Sequence, residues 1–142
     1  MKRILIDTDV ILDFMFDRQP FSDKAAQILS LCESKVIIGN VTAVIISNVY
    51  YLLRQTAKHE KVIEKLKQLL SIIEILVIDK NVVIQALYSD FKDFEDALQN
   101  YSAERNNEIE VIVTRNIKDY KRSDLSVMTP DSFLAWYDEE FR

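Results

Sequence analysis

Two acidic side chains, Asp7 and Asp9, directly follow a short apolar run at residues 4–6. A run of this length is typical of a buried strand in a parallel sheet. Ligands of open α/β sheets bind beyond the carboxyl ends of the strands. Two carboxylates at such an end repel each other unless they are separated, hydrogen-bonded or bridged by a cation. The sequence therefore indicates a metal site here, with Thr8 as a supporting polar residue.

A second acidic cluster contains Asp93, Glu95 and Asp96. Asp93 and Asp96 have the spacing of a helix N-cap and its N3 residue, where both carboxylates complement the helix dipole. If the helix instead ran unbroken through residues 87–101, Asp96 would lie opposite its apolar stripe and face solvent. Taken alone, this cluster is explained at least as well by helix capping as by ligand binding.

Polar residues also follow the apolar run at residues 110–113: Thr114 comes first, then Asn116 and Asp119. Taken singly, Asn116 or Asp119 is typical of an ordinary turn or cap. In a parallel sheet, however, this strand and the first strand end at the same edge. We therefore expect these residues, the cluster at Asp7 and the helix start at residues 93–96 to form one site.

An oxygen-rich site of this kind suits a hard cation. Mg²⁺ prefers oxygen ligands, keeps several waters and is usually held by one or two carboxylates together with substrate phosphates. Two such ions can activate a water and stabilise the leaving oxygen of a phosphodiester. Catalysis by histidine or cysteine has little support, because the sequence contains one of each. We expect His59 to be a solvated loop or cap residue and Cys32 to be a small buried hydrophobe.

The composition limits the remaining classes of function. A single glycine, Gly39, excludes glycine-rich phosphate-binding loops. The net charge of −5 excludes a broad basic surface, although a local nucleic-acid groove could be lined by Arg54, Lys58, Arg115, Lys118, Lys121 and Arg122. The lone cysteine favours a reducing compartment. Because the sequence shows neither a leader pattern nor an apolar run of about 18 residues, we expect a cytoplasmic protein without a membrane span.

The elements that must position these residues alternate between strands and helices. Apolar runs predict strands at residues 3–6, 35–38, 75–78, 110–114 and 127–129. Helical patterns cover residues 22–31, 60–73 and 81–90, and two more helices follow Thr42 and Asp131, with Ser22, Thr42 and Asp131 as expected N-caps. This alternation favours a three-layer α/β/α sandwich with a central parallel sheet of about five strands, in a single domain over residues 1–142.

The sequence resembles a PIN domain, the metal-dependent nuclease fold that includes VapC-type toxins. The matching segments are LIDTDVILD (residues 5–13), DFEDAL (93–98), VTRNIKDY (113–120) and VMTPDSFL (127–134). They occur in the family's order and span nearly the whole chain. The resemblance implies that Asp7 and Asp96 are metal ligands. It also places Thr114 at the polar position ending the fourth strand, and Asp119 as a later acidic group in or beside the site.

Two positions depart from the family pattern. The family commonly has a glutamate on its second long helix, where this sequence has Asn48, and many members have an aspartate in place of Asn116. An asparagine oxygen can still bind a cation, so Asn116 stays a candidate ligand, but it adds no charge. Asp9, Asp93 and Glu95 could return negative charge to the site. The departures leave the fold prediction intact and weaken the prediction of activity.

Three functions remain open. The first is a Mg²⁺- or Mn²⁺-dependent endoribonuclease that uses metal-activated water, with catalytic carboxylates at Asp7, Asp93, Asp96 and Asp119. As a toxin it would pair with a small antitoxin and form a homodimer. The second is a catalytically weak or inactive PIN-like domain that binds RNA or another partner. The third is an aspartate-nucleophile phosphohydrolase, for which Lys118 is the only suitably placed lysine.

Overall fold

The computed structural model describes residues 2–141, which contain five strands, seven α-helices and one 3₁₀ turn. The strands are β1 (Lys2–Ile6), β2 (Ile37–Thr42), β3 (Glu74–Leu76), β4 (Ile109–Val113) and β5 (Ser126–Met128). The helices are α1 (Thr8–Met15), α2 (Ser22–Glu33), α3 (Ala43–Arg54), α4 (His59–Leu70), α5 (Lys80–Leu87), α6 (Phe94–Arg105) and α7 (Pro130–Phe141). The 3₁₀ turn, Ile117–Tyr120, lies between β4 and β5.

The five strands form one parallel sheet in the order β3-β2-β1-β4-β5. Strand β1 is central, and its last residue, Ile6, lies beside Val113 at the end of β4. The backbone N–H of Asp7 extends this pairing by donating to the Val113 carbonyl at 3.0 Å. The prediction that the two strand-end clusters share an edge is therefore confirmed.

Helices cover both faces of this sheet. Ile4, Leu5 and Ile6 are each 0% exposed, and consecutive side chains of a strand point to opposite faces. Helix α2 packs on β2, α6 on β4 and α7 on β5. The predicted three-layer α/β/α arrangement is confirmed. No helix within residues 2–141 combines the length and the apolar character needed to cross a bilayer.

Gly39 allows α2 to approach the sheet closely. A Cβ atom at this position would lie 2.7 Å from Cys32 Sγ and 2.9 Å from Ile6 Cδ1, closer than packed atoms allow. Cys32 is buried as predicted, and burial raises the pKa of its thiol to about 12. The thiol is therefore protonated and acts as a small packing group.

Several element boundaries differ from the predictions. Strand β2 runs from Ile37 to Thr42, later than the predicted residues 35–38, and within it the buried side chain of Asn40 donates to the Ile4 carbonyl at 3.1 Å. Strand β3 ends at Leu76, before the predicted residue 78. Helix α1 was not predicted, because its short apolar sequence extends the pattern of β1. The side chain of Asp7 begins this helix by accepting from the Thr8 N–H.

The predicted N-caps met with mixed success. Thr42 caps α3, and its hydroxyl accepts from the Ile45 N–H at 3.2 Å as expected. Ser22 was wrong: it lies inside the first turn of α2, and its hydroxyl donates to Asp17 at 2.7 Å. Phe21 occupies the N-cap position of α2 without a side-chain hydrogen bond. The local turn at residues 17–22 thus takes the hydroxyl that capping would have used.

The N-cap of the last helix also differs from the prediction, whereas the position of His59 agrees with it. Asp131 was the wrong N-cap for α7, because the Thr129 hydroxyl accepts from the Ser132 N–H at 3.1 Å and Asp131 lies in the first turn. His59 is exposed, as expected, and forms the first residue of α4. Its Nδ1 lies 2.9 Å from the Tyr50 hydroxyl. His59 does not line the cleft at the carboxyl edge of the sheet, where the predicted site residues lie.

Candidate functional site

The carboxyl edge of the sheet opens into a cleft of about 660 Å³, here called the acidic cleft. Its walls come from the end of β1, helices α1 and α3, the start of α6 and the connection after β4. The predicted site residues that line it are Asp7, Thr8, Asp9, Asn48, Asp93, Glu95, Asp96, Asn116 and Asp119. Thr114 is fully buried behind them. The fold therefore brings the three sequence clusters to one place.

Asp7 is 8% exposed, and both of its carboxylate oxygens are held. Oδ1 accepts from the Thr8 N–H at 2.8 Å, and Oδ2 accepts from the Thr114 hydroxyl at 2.9 Å. Burial raises the pKa of Asp7, and these two hydrogen bonds oppose that rise. The carboxylate is thus fixed in orientation at a place where its charge is poorly solvated, which favours a bound cation.

Asp9 lies beside Asp7 and is only partly satisfied. Its Oδ2 accepts from the Arg115 backbone N–H at 3.1 Å and from Asn116 Nδ2 at 3.2 Å. Its Oδ1 is buried and has no hydrogen-bond partner among the described residues. Burial, followed by the charge of Asp7, raises the pKa of Asp9 to about 6. A buried carboxylate oxygen without a partner is costly, and it is the observation that most directly fits a cation.

The start of α6 both caps the helix and faces the acidic cleft. Asp93 is the N-cap and accepts from the Asp96 N–H at 3.0 Å, so the capping interpretation is confirmed and the unbroken helix is excluded. Asp96 accepts from the Tyr120 hydroxyl at 3.4 Å. Burial, followed by the carboxylates of Asp7, Asp93 and Asp119, raises the pKa of Asp96 to about 7. The three sequence clusters therefore share one electrostatic environment.

The two asparagines that replace family acids each contact a carboxylate. Asn48 on α3 donates from Nδ2 to Glu95 Oε2 at 2.9 Å. Asn116 donates in the same way to Asp9 at 3.2 Å. An acid at either asparagine position would face another acid and repel it. Asp9 and Glu95 therefore carry the negative charge beside these two asparagines.

The donor chemistry of the acidic cleft fits Mg²⁺ or Mn²⁺. Its candidate ligands are all oxygen atoms, which these hard cations prefer. Within residues 2–141, no three acidic, histidine or cysteine side chains lie close enough to form a complete ligand set. Mg²⁺ keeps several waters and needs only one or two carboxylates when substrate phosphates complete its shell. The partnerless Asp9 oxygen and the coupled carboxylates of Asp7 and Asp96 satisfy that requirement.

Sequence reasoning missed a buried ion pair that supports the cleft. Asp13 on α1 is 1% exposed and accepts from Arg115 Nε at 2.6 Å and Nη2 at 3.0 Å, with Arg18 Nη1 3.6 Å away. The Arg115 guanidinium lies 3.9 Å from the ring centre of Phe21. This ion pair connects the loop after β4 to α1 and so positions the Arg115 backbone N–H, which donates to Asp9. Arg115 therefore forms an ion pair with Asp13, and its place in a nucleic-acid groove stays a prediction.

Further residues of the acidic cleft were also missed. Gln99 is 2% exposed and accepts from the Thr42 hydroxyl at 2.5 Å. Arg18 is the one basic side chain among the described residues that line the cleft. The sequence signal that could have identified Gln99 is its position as a polar residue within the amphipathic helix α6. Lys118 lines a neighbouring pocket and not the acidic cleft, so the geometry gives no support to the phosphohydrolase alternative.

The fold agrees with comparisons to known proteins. The sequence matches the PIN domain family over residues 3–118, and the chain belongs to that family. No curated protein matches it in sequence.

Solved structures show the same fold. A toxin–antitoxin complex from Klebsiella pneumoniae is 20% identical, with a TM-score of 0.66 over 89% of this chain and 97% of that chain. VapBC-1 from nontypeable Haemophilus influenzae is 15% identical, with a TM-score of 0.66 over 91% and 98%. VapBC2 from Rickettsia felis, bound to a fragment of promoter DNA, is 17% identical, with a TM-score of 0.64 over 89% and 96%. At these identities the likeness establishes the fold.

Proposed function

We propose that this protein is a Mg²⁺- or Mn²⁺-dependent endoribonuclease. The observation that carries the proposal is the meeting of Asp7 and Asp96 in one cleft, where the charge of Asp7 raises the pKa of Asp96. Their elements lie far apart in sequence, so this arrangement is a product of the fold. Membership of the PIN domain family supports nuclease chemistry at this edge of the sheet.

In this proposal Asp7 and Asp96 bind the cation directly. Asp119 and the amide oxygen of Asn116 bind it through its retained waters, and the buried, partnerless Oδ1 of Asp9 adds negative charge beside it. Asp93 fixes the start of α6 and adds negative charge beside Asp96. The cation, when bound, supplies activation of a water and stabilisation of charge on the phosphodiester. The protein's own contribution is to hold these oxygen atoms in fixed orientations.

Other residues of the acidic cleft orient the ligands and the substrate. The Thr8 N–H and the Thr114 hydroxyl fix the two oxygens of Asp7. Asn48 holds Glu95 across the cleft. Arg18 lines the acidic cleft with a side chain that is 42% exposed, and we infer that it binds a non-bridging oxygen of the substrate phosphate. A volume of about 660 Å³ lies within the range of roughly 300–1,000 Å³ of small-ligand sites and admits a nucleotide.

We further propose that the protein is the toxin of a toxin–antitoxin pair, bound by a small antitoxin and assembled as a homodimer. Support comes from the similar solved structures, which include toxin–antitoxin complexes. Mass measurement of the purified protein by light scattering tests the homodimer. A monomeric mass at micromolar concentration would contradict it.

A specific observation favours a second candidate, a catalytically weak PIN-like domain that binds RNA. Residues 2–141 contain no complete set of three acidic, histidine or cysteine ligands, and Asn48 and Asn116 stand where the family commonly has acids. In this alternative the acidic cleft holds a cation too weakly for turnover, and RNA is bound without being cut.

The test is cleavage of end-labelled RNA by purified protein in Mg²⁺ or Mn²⁺, compared with Asp7→Asn and with Asp131→Asn. Asp131 is an exposed residue of α7 outside the acidic cleft, so it is a matched control. We expect Asp131→Asn to leave the rate unchanged and Asp7→Asn to reduce it at least about 100-fold, which corresponds to about 2.7 kcal/mol. Cleavage that survives Asp7→Asn refutes the proposal, whereas RNA binding without cleavage favours the second candidate.

A further inference from the structure

A second pocket of about 240 Å³, here called the basic pocket, opens beside the acidic cleft. The two share Asp93, Asp96 and Asp119 as a common wall. The basic pocket also contains Asp90 and Phe91, and its basic side chains are Lys92, Lys118, Lys121 and Arg122. Its four basic side chains thus lie beside four carboxylates, three of which it shares with the acidic cleft.

The four basic side chains are available to a ligand. All four are exposed. In the part of the chain that the structure describes, none of them forms an ion pair with a carboxylate, whereas Arg3, Arg105 and Arg115 each do. Four cations that lie near acidic residues without pairing to them can bind an anion from outside the protein.

Aromatic packing holds the two halves of the basic pocket together. Lys92 lies on the segment before α6, and Lys118 lies on the 3₁₀ turn after β4. Phe91 contacts the ring of Tyr120 edge-on, with ring centres 6.2 Å apart, and also contacts Tyr101 at 5.8 Å. Because Tyr120 is 1% exposed, it anchors the turn in the core. The basic pocket is thus built on a rigid base.

We propose that the basic pocket binds backbone phosphates of single-stranded RNA next to the phosphate held in the acidic cleft. This inference rests on the proposed function, since it places the strand that the acidic cleft would cut. A metal-free acidic cleft repels a polyanion, and the neighbouring cations supply the attraction that brings the strand to it. A pocket of about 240 Å³ admits a phosphate and its sugar but not a duplex.

The test is binding of a fluorescein-labelled 12-nucleotide single-stranded RNA, measured by fluorescence anisotropy in EDTA from 50 to 200 mM KCl. The variant is Lys118→Gln with Lys121→Gln. The matched control is Lys24→Gln with Lys67→Gln, two exposed lysines on α2 and α4 that lie outside both pockets. The EDTA removes divalent cations, so the result does not depend on cleavage.

For single strands, each phosphate contact contributes about 0.7 to the magnitude of the slope of log K against log salt. The pocket variant lacks two such contacts, so the magnitude of its slope should be smaller by about 1.4. If the curves meet at 1 M salt, the affinity at 0.1 M falls roughly 25-fold. The control pair should keep the slope of the wild type. Equal slopes for the pocket variant and the control, or no RNA binding by the wild type, overturn the inference. If the pocket variant shows the smaller slope but the wild type does not cleave RNA, only the proposed nuclease activity is overturned.

Discussion

Removal of the guanidinium that pairs with Asp13 should destabilise the protein strongly. We consider Arg115→Met, which keeps the apolar stem of the side chain and removes its charge. Asp13 is 1% exposed and accepts two hydrogen bonds from Arg115, at 2.6 and 3.0 Å. The substitution leaves a buried carboxylate whose remaining cation is Arg18, 3.6 Å away and 42% exposed.

The size of the effect follows from this geometry. Breaking a buried ion pair by removing one partner costs about 3–5 kcal/mol, because the remaining charge is left uncompensated. Arg18 keeps partial contact with Asp13, which places the expected loss near the lower end, at about 3 kcal/mol. For a chain of this size, each kcal/mol lowers the melting temperature by about 2–4 °C, so the total shift is roughly 6–12 °C.

Urea denaturation of three proteins measures this loss: the wild type, Arg115→Met, and Arg115→Met combined with Asp13→Leu. The double variant replaces the pair with apolar side chains and should recover most of the lost free energy of unfolding, because no buried charge remains. Arg122→Met, at an exposed arginine, is the control and should change stability by less than about 0.5 kcal/mol. A loss below about 1 kcal/mol for Arg115→Met, or a double variant no more stable than the single one, would refute the reasoning.

Three further predictions concern the acidic cleft and the core. In EDTA the melting temperature should fall as the pH rises from about 5 to about 8. In the folded protein the pKa values of Asp9 (about 6) and Asp96 (about 7) lie above the ordinary value of 3.8, so stabilisation present at low pH is lost as the pH rises through them. A melting temperature that does not change with pH would count against repulsion between these carboxylates. Asp96→Asn should raise the melting temperature in EDTA at pH 8 and reduce its pH slope, and a lower melting temperature than the wild type at pH 8 would contradict this. Gly39→Ala should cost about 1–3 kcal/mol in urea denaturation, since its Cβ would meet Cys32 Sγ at 2.7 Å, and Cys32→Ala should recover part of that loss if the contact is the cause.

The parts of the site that could be predicted from sequence are those encoded locally. A carboxylate at Asp7 after an apolar strand, and polar residues after another such strand, required only the rule that parallel strands end at a common edge. The capping spacing of Asp93 and Asp96 was equally local, and the structure bears it out. The prediction that these clusters share an edge needed only parallel strands, whereas the contact between them depends on β1 lying beside β4, an order that the structure supplies.

The parts that could not be predicted depend on packing between distant segments. Asn48 and Glu95 form a hydrogen bond between α3 and α6, and the sequence holds no pattern that marks them as partners. Asp13 follows an apolar run, and the sequence does not show that it is buried. Its buried carboxylate is compensated by Arg115, which is distant in sequence and is brought to it by the fold. Helix α1 was missed for a related reason: it packs mainly against α2 and α3, and its consecutive buried residues Val10, Ile11 and Leu12 form a short apolar run that resembles a strand.

The central claim is that the acidic cleft holds a divalent cation through Asp7. Isothermal titration calorimetry with Mn²⁺ tests it directly on the wild type, Asp7→Asn and the control Asp131→Asn. We predict that the wild type and Asp131→Asn bind with the same affinity, and that Asp7→Asn binds at least tenfold more weakly. Equal Mn²⁺ binding by the wild type and Asp7→Asn, or no binding by the wild type at millimolar Mn²⁺, would contradict the claim.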